Sequence, residues 1–138
     1  MTDYLSLYTQ YLDGHNVKYT VVGAHEVEIN YRGDHVSPIS VHVFFDPDGE
    51  PLITLKCWSF LPQGLYREDA SAGGIITCHT VNNLYRWVKF YVDDNGDGVA
   101  EMDAYVTNPD SCGWRCNQLA LRMVNIIDDS FHWFLGRL

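Results

Sequence analysis

No stretch of lysine and arginine interrupts this chain: 9 of its 138 residues are basic and 18 are acidic, for a formal charge of −9. Such an excess repels phosphate backbones and anionic headgroups, so nucleic acid and acidic membrane surfaces are excluded as natural partners. Long apolar runs are missing too, the longest spanning a few residues where a bilayer demands about 20. The opening MTDYLSLYTQ is acidic and polar where a secretion signal is basic and then apolar. The chain is therefore expected to begin as written and to work in the cytoplasm. Cysteines are few, Cys57, Cys78, Cys112 and Cys116. A chain of this size buries roughly two-thirds of its unfolded surface, enough for a core without disulfides or a structural metal, and the four are read as reduced thiols. Internal repeats, low-complexity tracts and linkers are absent, which makes residues 1–138 a single domain.

What is present is a folded composition, 46% hydrophobic, 14% aromatic and 20% charged, outside the regime of intrinsic disorder. Tyr4, Leu5, Leu7, Tyr8, Tyr11 and Leu12 recur at helical spacing, with Thr2 or Asp3 to cap the start and Gly14 to end it. Between Val17 and Tyr31 the period becomes two, interrupted at Gly23-Ala24-His25, which predicts one or two strands joined by a bulge or short turn. Val41 to Phe45, the turn DPDGEP and Leu52 to Phe60 predict a β-hairpin. A second helix is expected from Ala70 to Arg86, with Ile75, Cys78, Val81, Asn82 and Tyr85 on its inner side and Gly73-Gly74 weakening its first turns.

The next pair alternates most clearly. Val88, Phe90 and Val92 must share a face with Ala100, Met102 and Ala104, which requires an odd loop. Lys89 is expected opposite Asp103 and Tyr91 opposite Glu101, through a three- or five-residue loop with a left-handed glycine at Gly96 or Gly98. Asn108-Pro109-Asp110-Ser111 then opens a long helix that carries Cys112, Cys116, Leu119, Ala120, Met123, Ile126, Ile127 and Phe134 on one side and Asp128 and Asp129 on the other. The order is helix, three antiparallel strands, helix, β-hairpin, long C-terminal helix: an α+β fold with the last helix packed on one sheet.

Chemical motifs are weak. Asp93-Asp94-Asn95-Gly96-Asp97-Gly98 matches the first half of a calcium-binding loop, but Ala104 stands where the bidentate carboxylate belongs and the flanks alternate like strands, so the string reads as an acidic turn. Cys112 and Cys116 lie one helical turn apart and could share a metal with Cys57, Cys78 or His79, yet the paired spacing of zinc sites is absent. Cys112 at a helix start could also be a reactive thiol. The six histidines join no catalytic pattern. More prominent are the aromatics Phe44, Trp58, Phe60, Trp87, Trp114, Trp133 and Phe134, more than one sheet and three helices would hide, and exposed aromatics mark protein interfaces.

The run Asn82-Asn83-Leu84-Tyr85-Arg86-Trp87-Val88-Lys89-Phe90-Tyr91-Val92-Asp93, followed by the turn and Val99 to Tyr105, resembles the YbjN family of bacterial domains. That resemblance implies a fold similar to type III secretion chaperones, which are small acidic dimers that hold segments of client proteins, and a family label of bacterial sensory transduction regulator. It carries over no catalytic residue. The combined expectation is a non-enzymatic, homodimeric, cytoplasmic protein-binding domain without a cofactor or metal, its client a protein or peptide. The candidate interface is Trp58, Phe60, Trp133, Phe134 and Leu135, or an unpaired sheet edge. The competing expectation is a metal- or redox-dependent sensor or enzyme that uses Cys112, Cys116 and a histidine, or the turn Asp93 to Asp97.

Overall fold

The computed structural model describes residues 2–58, 68–106 and 108–135; the side chains of residues 68–73 and of Leu135 lie outside that description. The described chain is α+β, with three helices and six antiparallel strands: α1 (Tyr4–Gly14), β1 (Thr20–Gly23), β2 (Glu26–Tyr31), β3 (Ile39–Phe45), β4 (Leu52–Trp58), α2 (Glu68–Leu84), β5 (Lys89–Val92), β6 (Gly98–Tyr105) and α3 (Cys112–Leu135). The segment from Val17 to Tyr31 accounts for the strand more than expected. It folds back at Ala24-His25, and β1 pairs with β2 through a bulge between Val21 and Gly23. Strands run in the order β1-β2-β3-β4-β6-β5, leaving β1 and β5 as edges.

Strict alternation on β3 and β4 sends Ile39, Val41, Val43, Phe45, Ile53, Leu55 and Cys57 to one face, where they are buried. α1 and α3 pack on that face, and α2 lies along β5 and against α3. Asp3 caps α1 as expected, its carboxylate accepting from the Ser6 amide at 3.1 Å. A single 3-10 turn, Pro109–Ser111, leads into α3, with the Asn108 side chain accepting from the Asp110 amide. Cys112, Cys116, Ala120, Met123, Ile127 and Phe134 enter the core, close to the predicted stripe.

Three expectations are corrected. The β5–β6 register is two residues from the predicted one, with Lys89 opposite Glu101 and Tyr91 opposite Val99. Parity and therefore faces are preserved, but the turn closes earlier. Asp93 N donates to the Asp97 carbonyl and Gly96 N to the Asp93 carbonyl, so the loop is Asp94, Asn95 and Gly96, with Gly96 at φ 82° as the left-handed residue. On α2, Ile75 is exposed and Thr77 takes an inner position, because the helix is turned to seat Cys78 and Val81 against the core. Asp128 is not simply solvated: it accepts from the amides of Asp34 (3.0 Å), His35 (2.7 Å) and Val36 (2.9 Å), tying the β2–β3 loop to α3.

Candidate functional site

No described helix packs on the second face of the sheet, whose outward side chains form a row across the strands. Strand register places Glu28, His42, Lys56, Glu101 and Lys89 directly opposite one another across five strands. Directly opposed side chains lie close enough to interact, and the row gathers into two clusters, one around His42 and one around Glu101. His42 contacts Glu26 at 2.7 Å and Glu28 at 3.5 Å through its two ring nitrogens. Glu101 receives Lys56 at 3.0 Å and Lys89 at 2.8 Å.

Aromatic groups flank the row. The Trp58 indole lies edge-on to His42 (5.0 Å between centroids) and to Phe44 (6.0 Å), with the Lys56 ammonium over its ring at 5.7 Å. Tyr91 lies beneath the Lys89 ammonium at 5.8 Å. Val99, opposite both Trp58 and Tyr91, is only 1% exposed yet stands apart from the main core, so this face has a small apolar centre of its own. Trp58 itself is 37% exposed.

The electrostatics fit recognition. Burial would raise the Glu101 carboxyl, but hydrogen bonds from Lys89 and Lys56 outweigh it and hold the group below the ordinary carboxylate range. The same hydrogen bonds raise Lys56 and Lys89. Each partner is held in its charged form, the opposite of what a general acid or base working near neutrality needs. Two fixed clusters, Glu26–His42–Glu28 and Lys56–Glu101–Lys89, beside the exposed Trp58 indole suit selection of a partner surface.

The predicted interface residues do not converge. Trp58 belongs to the open face, whereas Trp133 is partly buried against the core beside His132. Phe134, 3% exposed, packs its ring at 5.6 Å from Phe90, so it is a core residue and supplies no surface. Leu135 ends α3, its side chain outside the described residues, and Phe60 also lies outside them. Sequence reasoning missed the charge row because His42, Lys56 and Glu101 belong to three strands that only the β4–β6 pairing brings side by side.

The alternative sites are resolved in part. Cys112 and Cys116 do meet, Sγ to Sγ at 4.0 Å in the core, and the Cys112 thiol donates to the Tyr4 carbonyl. The hydrogen bond between them and burial raise Cys116 strongly, while the same bond lowers Cys112. Burial pushes Cys57 up to about 12 and Cys78 up to about 11. Among the described residues, no group of three histidines, cysteines or carboxylates gathers as metal ligands would. In the acidic turn, the Asp93 carboxylate accepts from the Asn95 and Asp97 amides at 3.0 and 2.9 Å, the geometry of a turn-closing side chain.

No family model matches the chain, and no curated protein does. Among solved structures it is similar to an uncharacterised protein from Methanothermobacter thermautotrophicus, 15% identical over 93% of this chain and 99% of that one, with a TM-score of 0.49. The resemblance to the YbjN family rests on the residues quoted for it. Among the described residues no helix is long and apolar enough to cross a membrane.

Proposed function

We propose that the chain is a non-catalytic protein-binding domain, chaperone-like or regulatory and homodimeric, that works in the cytoplasm and holds its partner on the face of the sheet that no described helix covers. The observation that carries this reading is the one-sided cover among the described residues: helices on one face, and on the other two clusters of paired polar groups, around His42 and around Glu101, flanked by Phe44, Trp58 and Tyr91. Charges already paired within one chain set register for a partner, while the aromatic rings supply the buried contact. Four buried free thiols suit a reducing compartment. The half-exposed edge residues Val21 and Val22 on β1 offer a place for a second copy to extend the sheet.

The test is photo-crosslinking in the native host with p-benzoylphenylalanine in place of Phe44, followed by mass spectrometry. A discrete adduct is expected, and it should be lost when Trp58→Ala is added. No adduct from Phe44, with adducts from a control position on α1, would reject the sheet face. Light scattering should give a dimer at micromolar concentration, and a monomer would reject that part. The sensor reading keeps one supporting observation, the 4.0 Å contact between Cys112 and Cys116. Elemental analysis of untagged protein decides its metal version, which stoichiometric zinc or calcium would favour.

A further inference from the structure

A second surface lies on the helical side of the molecule, independent of the sheet face. Between the loop after α2 and the outer side of α3 is a cleft of about 220 Å³ lined by Trp87, Trp114, Arg115, Gln118, Leu119 and Arg122. We propose that this cleft docks an acidic peptide segment of a partner protein, with Arg115 and Arg122 taking its carboxylates and the two indoles taking its apolar side chains.

Trp87 carries the argument furthest. Its backbone sits at φ 79°, in the left-handed region where glycine is at ease and a tryptophan is strained. The side chain does not justify this by filling the core, because Trp87 is 66% exposed. Glycine there would relieve the backbone without opening a cavity. The indole instead stands under the Arg122 guanidinium at 5.6 Å, a stacked pair that presents cation and ring on the same surface. Trp114, 54% exposed, faces the same cleft from the first turn of α3.

Charge decides the kind of occupant. The chain carries −9 overall, yet among the described residues no acidic side chain lines this cleft and neither Arg115 nor Arg122 has a carboxylate partner. Two unpaired guanidiniums beside two exposed indoles are the residue types that dominate binding energy at interfaces, and they suit carboxylates spaced by apolar side chains. The net charge of −9 opposes extended polyanions more than a short segment that meets chiefly the two guanidiniums, so a short acidic segment is favoured over nucleic acid or membrane.

A fluorescein-labelled peptide alternating glutamate and leucine is the probe, followed by anisotropy and by intrinsic tryptophan emission. Saturable binding that weakens as salt is raised is expected, with Trp87→Gly and Arg122→Glu each weakening it roughly tenfold or more. Trp87→Gly should melt no lower than the parent chain, which separates lost docking from lost folding. Phe44→Ala should leave the affinity unchanged, so this result and the sheet-face crosslink can fail separately. The proposal is overturned by an absence of saturation, by equal binding of a lysine-leucine peptide, or by Trp87→Gly binding like the parent. Tighter binding of single-stranded RNA or phosphatidylserine vesicles through the same residues would also overturn it. So would self-association abolished by Arg122→Glu without any peptide binding, since that assigns the cleft to a second copy.

Discussion

Single side chains in this protein hold segments that no secondary structure reaches, and Asp128 is the clearest. Burial would raise its carboxyl, but the amides of His35, Val36 and Asp34 more than reverse this and hold it below the usual range. Asp128→Ala should lower stability by about 1–2 kcal/mol, from the loss of charge-assisted hydrogen bonds at a partly solvated site, and denaturant melts would show it. The folded value of Asp128 is depressed, so its contribution is present above the unfolded value and is lost as pH falls through the folded one. Gly33 is tied to the same place, since a β-carbon there would collide with the Asp128 carboxylate and the Val36 carbonyl. At the alkaline end the sign is reversed. Cys57, Cys78 and Tyr31 are pushed by burial up to about 12, 11 and 12, so above about pH 9 the unfolded chain releases protons that the folded chain keeps. The melting temperature should therefore fall steadily from there, and a flat profile up to pH 11 would contradict the burial of these groups. Helical period alone places Asp128 on the solvent side, because a partner loop more than 90 positions away leaves no trace in local pattern.

At the scale of elements, edges and turns decide more than propensity. Strand β5 is an edge, yet Asn82 of α2 covers it: Phe90 N donates to Asn82 Oδ1 at 2.7 Å, and Asn82 Nδ2 donates to the Phe90 carbonyl at 2.9 Å. The side-chain amide takes the place of a neighbouring strand and blunts the edge. Asn82→Leu should lower stability by about 1–3 kcal/mol and speed amide exchange at Phe90, read by hydrogen-exchange mass spectrometry. Gly96 at φ 82° closes the β5–β6 turn, so Gly96→Ala should cost about 1–2 kcal/mol in a denaturant melt. The turn itself was legible, because parity of the two strands demanded an odd loop and glycine is the residue most at ease in its left-handed position. The two-residue error in register arose because apolar faces are satisfied equally by any even shift. Asp93 capping the turn and the Lys89–Glu101 ion pair choose among the even shifts.

For the whole molecule, charge and one-sided layering set behaviour together. At −9 the folded chain repels itself, so modest salt should raise the melting temperature by a few degrees, as measured by calorimetry. A drop with salt would mean that the row Lys56–Glu101–Lys89 outweighs the net repulsion. The two faces have unlike roles in the fold. One is sealed by α1 and α3, and the other keeps Trp58 half exposed above Val99.

The amino-acid order alone determined which residues alternate, where helices are capped and which faces of β3 to β6 turn inward, since these follow from periods of 2 and 3.6 and from caps and turn residues close in sequence. It also indicated that Phe44, Trp58, Phe60, Trp87, Trp114, Trp133 and Phe134 together were more rings than the core could hide. Tertiary structure decided which of them face solvent, and that Phe134 turns inward against Phe90. It also placed β6 beside β4, and thereby assembled Glu28, His42, Lys56, Glu101 and Lys89 into one row. Pairing between strands more than 40 residues apart is a property of the closed sheet, whose energetics depend on contacts that no local window of the chain contains.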